Sequence, residues 1–157
     1  MVQYEILKED TKIVMNSMFK DKIFDYFEVR SIEIYSFTKF TIHCGKNPNF
    51  YAKDYEENNI TKYLTWLDIK SHALNMIKGK QTPTHMKIVF SIPEEYLNKI
   101  HSNAKSLYIN FNYENEKIIL VTGCSQSDFQ VNKDLDNTWD EYVKKFMDKN
   151  NITILKV

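Results

Sequence analysis

The chain has 157 residues, enough for one folding domain that buries ~70% of the surface its unfolded form would expose. Hydrophobic residues make up 43% of the chain, whereas Gly and Pro number only three each, which excludes long disordered or low-complexity regions. Lys plus Arg equals Asp plus Glu at 21 each, so the chain lacks the basic excess of a dedicated nucleic-acid binder.

Cysteine usage and the distribution of apolar residues predict the compartment. Cys44 and Cys124 belong to no paired motif, so we expect free thiols. The N-terminus lacks a basic region followed by an apolar core, and no apolar run approaches the ~20 residues that cross a bilayer. These features predict a cytoplasmic protein that does not enter the membrane.

The first third of the chain predicts a strand, a helix and a hairpin. Residues 2–7 favour a strand, and Asp10 is a plausible cap for the following helix, which would place Ile13 inward. Residues 29–44 alternate with period two around a turn near Thr38, which predicts a β-hairpin.

The longest polar segment, residues 45–59, is predicted to be a surface loop. It carries three aromatic residues, Phe50, Tyr51 and Tyr55. Aromatic side chains in polar settings are enriched at binding hot spots, so this loop is a candidate surface for another protein. The alternative is that the three rings fold back onto the core beneath the loop.

The central segment has clear helix start and stop signals. Thr65 and Asp68 form a variant of the capping box, and the apolar arc behind them, which includes Leu67, predicts a helix covered on most sides. Gly79 stands where a helix often ends with a positive φ, and Pro83 forbids continuation.

The next part of the chain predicts a strand, a short helix and a second hairpin. Residues 86–90 alternate as a strand, and Pro93 favours a helix that starts there and runs to about His101. Residues 107–113 and 117–123 form two strand patterns joined by a three-residue turn.

The last third predicts a further strand, a helix and a closing strand. Phe129 and Val131 suggest a short strand, and Thr138 with Glu141 forms a capping box that should begin the last helix. Residues 152–157 then alternate as a closing strand. The whole pattern predicts a single α+β domain over residues 1–157, a mainly antiparallel sheet of hairpins packed with about four helices.

The turn after the central helix offers the clearest motif for chemistry. Residues 79–82, Gly-Lys-Gln-Thr, resemble the end of a phosphate-binding loop, but such a loop precedes a helix and this one follows a helix, where the dipole end is negative. Lys78, Lys80 and His85, with His72 nearby, nevertheless support an alternative: an enzyme or binder acting on a small polar or phosphorylated ligand.

Cysteine, histidine and acidic residues are the candidate reactive or metal-binding groups of the sequence. His43 and Cys44 are adjacent in a predicted strand and point to opposite faces, so they do not readily share a proton or a metal. A structural role for Cys44 is favoured over a nucleophile that acts with His72, His85 or His101. The acidic groups at 54–57 and 134–140 lack the pattern of a calcium loop, so we expect no metal and no cofactor.

Four segments carry a resemblance to a known family: residues 22–43, 63–70, 76–90, which begin with Met-Ile-Lys-Gly-Lys-Gln-Thr-Pro, and 137–146, which begin with Asn-Thr-Trp-Asp-Glu-Tyr-Val. They resemble a small family of bacterial proteins from low-GC Gram-positive anaerobes, a domain of unknown function. The resemblance implies a stand-alone cytosolic domain and supplies no catalytic residue, substrate or cofactor. Where that family has Asp-Gly after the first hairpin, this chain has His43, Cys44 and Gly45, which weakens any role for Cys44.

The sequence therefore leaves the function unknown and favours a non-enzymatic binding or regulatory module. The expected ligand or partner surface includes Phe50, Tyr51, Tyr55, Lys78, Lys80 and His85. The alternatives are the enzyme or binder at the turn and a nucleic-acid accessory protein whose architecture is similar to one domain of a sliding clamp. The partner is unidentified, and nucleic acid is not favoured.

Overall fold

The computed structural model describes residues 2–51, 62–79 and 81–157. Seven strands form one antiparallel sheet in the order β3-β2-β4-β5-β6-β1-β7. The strands are β1 (Gln3–Ile6), β2 (Glu28–Tyr35), β3 (Lys39–His43), β4 (His85–Ser91), β5 (Ala104–Glu114), β6 (Lys117–Gln126) and β7 (Ile154–Lys156). The helices of the described residues are α1 (Thr11–Lys20), α2 (Pro48–Tyr51), α3 (Trp66–Ile77), α4 (Glu94–Ile100) and α5 (Asp134–Lys149). The predicted α+β class with an antiparallel sheet is confirmed.

The sheet has one buried face and one polar face. A row of apolar residues in register crosses four neighbouring strands and is fully buried: Ile32, Ile88, Phe111 and Leu120. The adjacent row begins with Glu33, Lys87 and Asn112, which are half-buried. This alternation is typical of an antiparallel sheet that packs helices against one face only.

Two tryptophans attach helices to the buried face. Trp66 on α3 lies 5.6 Å from the ring of Phe90 and donates a 2.7 Å hydrogen bond to the carbonyl of Met18. Trp139 on α5 donates a 2.9 Å hydrogen bond to the carbonyl of Tyr108. Because each indole N–H has an acceptor, both large rings are buried without an unsatisfied donor.

The hairpins and the central capping box agree with the predictions. The turn between β5 and β6 places Asn115 and Glu116 at φ values of 52° and 61°, as the tight turns favoured by twisted hairpins require. At the start of α3, the Asp68 amide donates to the Thr65 hydroxyl at 3.4 Å and the Thr65 amide donates to the Asp68 carboxylate at 3.1 Å. The helix therefore begins where the sequence predicts.

The central helix ends where the sequence predicts, but the predicted left-handed glycine and the predicted coverage are wrong. The helix ends at Ile77, Lys78 is extended at φ −66° and ψ 132°, and Gly79 has no positive φ. The extended conformation of Lys78 ends the helix as effectively as a left-handed glycine would, so the left-handed cap predicted at Gly79 does not form. Leu67 is 52% exposed, because α3 packs through the side that carries Trp66 and Ala73.

The region before the last helix also differs from the predictions. Phe129 and Val131 form no strand, because Asn103 bonds both the amide and the carbonyl of Asp128 at 2.8 Å, which curls the chain away from the sheet. The last helix begins at Asp134 rather than at the Thr138 capping box, and this earlier start buries Leu135.

One residue of α1 lies on the opposite side from the prediction. Ile13 is exposed, whereas Val14 and Met18 are buried. The helix is only ten residues long and packs through a narrow apolar stripe, so a residue one position from the stripe faces solvent.

Candidate functional site

A pocket of about 590 Å³ lies between residues 23–28, α4 and α5. Its walls are mainly apolar, and three partly or largely exposed tyrosines line it: Tyr26, Tyr96 and Tyr142. The apolar lining includes Ile23, Phe27, Ile92, Ile100 and Phe146. We call this site the tyrosine pocket. Its volume is in the range of sites that hold small ligands.

Aromatic packing fixes the wall that follows α1. The ring of Phe24 stacks 5.0 Å from Phe90 on β4, and the ring of Phe27 meets Phe146 on α5 edge-on at 5.1 Å. These contacts tie residues 23–28 to both the sheet and α5. The wall is therefore held by the core.

The two helical walls are positioned by their buried sides. Leu97 anchors α4 and Val143 anchors α5, so Tyr96 and Tyr142, the preceding residue in each helix, lie at the surface. Tyr142 also stacks on Trp139 at 5.5 Å, which supports the ring from behind. The pocket is built on elements that the core holds in place.

Glu28 at the start of β2 is the charged residue deepest in this site. It is 5% exposed and lines the pocket. Burial raises the pKa of its carboxyl, Arg30 and Lys46 lower it, and Glu94 and Glu95 raise it further, with a net shift upward. An acidic group buried in apolar surroundings with a raised pKa is typical of functional sites.

A second depression, of about 370 Å³, is polar and contains the histidine–carboxylate pair His101 and Asp134. His101 Nε2 lies 2.7 Å from the Asp134 carboxylate, and the Asn103 amide donates to His101 Nδ1 at 3.0 Å. Because Nδ1 accepts, the proton of the neutral ring lies on Nε2 and points to Asp134. Both ring nitrogens are occupied, so this pair is suited to holding α5 against the β5 start rather than to proton transfer.

The two cysteines are poor nucleophiles. Burial raises the pKa of the Cys44 thiol to about 11. Burial, together with a 3.0 Å hydrogen bond to Asp136, raises the pKa of the Cys124 thiol to about 12. Both thiols stay protonated at neutral pH, and a protonated thiol is a weak nucleophile.

The aromatic residues that the sequence singled out lie at a different place. Phe50 on α2 is 81% exposed, and its ring meets Tyr51 edge-on at 5.3 Å. Lys46 lies 5.3 Å from the Tyr51 ring. Phe50 thus does not fold back onto the core. Tyr55 lies outside the described residues.

Of the residues predicted to form a site after α3, the described Lys78 and His85 do not line the same depression. Lys78 lines a depression of about 400 Å³ that His85 does not line, and His85 instead lies 3.6 Å from Glu114 and 5.0 Å from the Tyr35 ring. Lys80 lies outside the described residues, and His72 is exposed on α3.

Sequence reasoning missed the tyrosine pocket because its lining comes from distant segments. Glu28 precedes the predicted hairpin, whereas Tyr142 lies in the last helix, far away along the chain. The sequence contains one signal: Glu28 lies between the segment 24–27, in which three of four residues are aromatic, and the predicted strand that begins at Val29, a place where a carboxylate is costly.

Among residues 2–51, 62–79 and 81–157, no group of three or more His, Cys, Asp or Glu side chains is arranged to hold a metal ion. Within the same residues, no helix has the length and apolar character needed to span a bilayer. The model described as "Family of unknown function (DUF5721)" matches residues 17–154. Comparison with curated proteins and with solved structures gives no match.

Proposed function

We infer that this chain, which belongs to the family of unknown function DUF5721, is a non-enzymatic binding module. Its ligand occupies the tyrosine pocket. The observation that carries the proposal is an apolar, tyrosine-lined pocket of about 590 Å³ with Glu28 in its lining. Binding sites combine apolar walls with a few polar groups in this way. The protonated thiols and the fully bonded His101 favour binding over catalysis.

Chemical-shift mapping with a set of small aromatic and alkyl compounds tests the proposal. We expect the amide signals that shift to cluster at residues 23–28, in α4 and at Tyr142 and Phe146, because these groups line the pocket. Shifts confined to the depression at Lys78 would instead favour the enzyme or polar-ligand alternative at the turn.

A pocket-filling variant and a matched control sharpen this test. Ile100→Trp places a large ring in the pocket lining and should abolish binding. Ile13→Trp makes the same change at an exposed position of α1 outside the lining and should leave binding unchanged. Equal binding by Ile100→Trp and the wild type would contradict the assignment of the pocket.

A second candidate surface is the exposed pair Phe50 and Tyr51, which would contact another protein. The observation that favours it is the 81% exposure of Phe50 beside a second aromatic ring and Lys46. A double Phe50→Ala, Tyr51→Ala variant should lose partners that the wild type retains in affinity capture. Phe129→Ala, which truncates another exposed Phe, should retain them.

We also propose that the protein is cytoplasmic and comes from a low-GC Gram-positive anaerobe. The free thiols Cys44 and Cys124 and the preference for Lys over Arg support this assignment. Fractionation of cells that produce the protein under its own promoter would test the compartment. The nucleic-acid and sliding-clamp alternative stays a prediction, and binding that weakens steeply with added salt would favour it.

A further inference from the structure

Glu28 is a largely buried residue that lines the tyrosine pocket. Among the residues that the structure describes, none donates a hydrogen bond to its side chain or forms an ion pair with it, although it is 95% removed from solvent. An ionised carboxylate is costly to bury unless it is paired. Since no described residue supplies this partner, the carboxylate is open to a donor from a ligand in the pocket.

The nearby cations are engaged elsewhere. The Arg30 guanidinium lies 3.9 Å from the centre of the Tyr63 ring, and its Nε donates a 3.0 Å hydrogen bond to the Ser91 hydroxyl. Lys46 lies 5.3 Å from the Tyr51 ring. Both cations lower the pKa of Glu28 through space but neither contacts the carboxylate. Within the described residues, Arg30 and Lys46 therefore favour the charged form of Glu28 without donating a hydrogen bond to it.

The walls around Glu28 define the rest of the ligand. Apolar side chains such as Ile92 and Phe27 call for an apolar body. The faces of Tyr26, Tyr96 and Tyr142 carry negative quadrupole potential, which attracts cations. The Lys99 ammonium already lies 5.0 Å from the Tyr96 ring, so this wall accepts a positive charge.

We propose that the tyrosine pocket binds a protonated amine with an apolar body, whose ammonium group donates hydrogen bonds to the Glu28 carboxylate. The proposal rests on the pocket being the binding site of the module. A carboxylate accepts hydrogen bonds and donates none, so an ammonium group matches it in both charge and hydrogen bonding. An alcohol of the same shape supplies one neutral donor, and a carboxylic acid repels the site.

Binding should depend on pH through Glu28. The charged groups that act on it are Arg30, Lys46, Glu94 and Glu95. Because its pKa is raised in the empty pocket, protonation at acidic pH removes the charge that attracts the amine. Amine affinity should therefore rise as the pH increases through the pKa of Glu28, whereas affinity for the neutral alcohol should not.

Three probes of equal length test the proposal on the full chain: 4-phenylbutylamine, 4-phenylbutanol and 4-phenylbutanoic acid, each titrated by calorimetry and followed by chemical-shift mapping. We expect the amine to bind about tenfold tighter than the alcohol, with the acid weakest. Glu28→Gln should remove this preference, because it weakens amine binding far more than alcohol binding. Glu95→Gln removes the same charge at an exposed position of the lining and should keep most of the preference.

The possible outcomes distinguish two claims: that the tyrosine pocket is a binding site, and that its ligand is an amine held by Glu28. Equal binding of amine and alcohol, or tightest binding of the acid, would overturn the amine assignment while leaving the pocket as a binding site. An equal loss in Glu95→Gln and Glu28→Gln would overturn the assignment to Glu28. Failure of all three probes to bind would overturn the amine assignment and the proposed function together.

Discussion

Asp25 and Glu28 are two buried carboxylates three residues apart on one segment, with opposite surroundings. Asp25 is 3% exposed, and its oxygen lies 2.7 Å from Lys70 Nζ. Glu28 is 5% exposed and has no such partner among the described residues. The first charge is compensated within the fold and ties the segment to α3, whereas the second is left for a ligand. Burial alone therefore does not identify a functional carboxylate. A buried carboxylate is a candidate ligand-binding group only when no other residue of the fold pairs with it.

The largest expected change in the free energy of unfolding comes from removing Lys70, the partner of Asp25. Lys70→Met would leave a buried carboxylate unpaired and would also remove the 3.1 Å hydrogen bond from Lys70 to the Asp21 carbonyl. Breaking one side of a buried pair costs about 3–5 kcal/mol, so the free energy of unfolding in urea should fall by about that amount.

The double variant Asp25→Asn, Lys70→Met provides the control. It removes both charges, so it should recover part of the lost stability. If Lys70→Met alone costs less than about 1 kcal/mol, as an exposed pair would, then Asp25 and Glu28 do not differ as described.

The second-largest change in the free energy of unfolding is expected for Glu28→Gln, and it is an increase rather than a decrease. The Gln side chain is neutral and similar in shape, so the variant should be more stable at neutral pH by about 1 kcal/mol, because it avoids the burial of an unpaired charge. Loss of stability in this variant at neutral pH would mean that Glu28 has a stabilising partner.

The pH dependence of the free energy of unfolding gives an independent check of the difference between the wild type and Glu28→Gln. The folded state raises the pKa of Glu28 above its ordinary value of 4.5, so the folded state holds the proton more tightly than the unfolded state. The contribution of Glu28 to stability is favourable below that ordinary value and is lost as the pH rises through the folded pKa. The advantage of Glu28→Gln over the wild type should therefore grow from acidic to neutral pH in parallel urea titrations.

The same contrast shows what the sequence can and cannot predict. Alternation and capping predict the hairpins and the start of α3, because these features depend on neighbours along the chain, as at Thr65 and Asp68. The tyrosine pocket depends on contacts between distant segments, such as Phe27 with Phe146, which no local pattern contains. The sequence also cannot show that Lys70 reaches Asp25 but not Glu28, since both carboxylates are similarly placed along the chain.

A smaller effect is expected at the rim of the pocket. The Lys99 ammonium lies 5.0 Å from the Tyr96 ring, where it competes with an incoming cation. Lys99→Gln should therefore increase the affinity for 4-phenylbutylamine by about two- to fivefold, the size of an exposed cation–π contact, without increasing the affinity for the alcohol.

Lys145→Gln is the matched control, since Lys145 lines the adjoining depression and not the tyrosine pocket. It should change amine affinity less than Lys99→Gln does. An equal gain in both variants would indicate general charge repulsion rather than competition for the Tyr96 ring.

The smallest effect is expected at Asp134, which lies 2.7 Å from His101 but whose side chain is 72% exposed. Water can replace the carboxylate in Asp134→Asn, and the Asn103 amide still holds the imidazole ring from its other nitrogen. The free energy of unfolding should fall by about 0–1 kcal/mol, as for exposed ion pairs. The carboxylate–nitrogen distance is 2.7 Å at both Asp25 and Asp134, so solvent exposure separates the two pairs. A loss at Asp134 as large as that in Lys70→Met would show that exposure does not set the cost of an unpaired carboxylate, and the cost expected for the buried and unpaired Glu28 would then lose its basis.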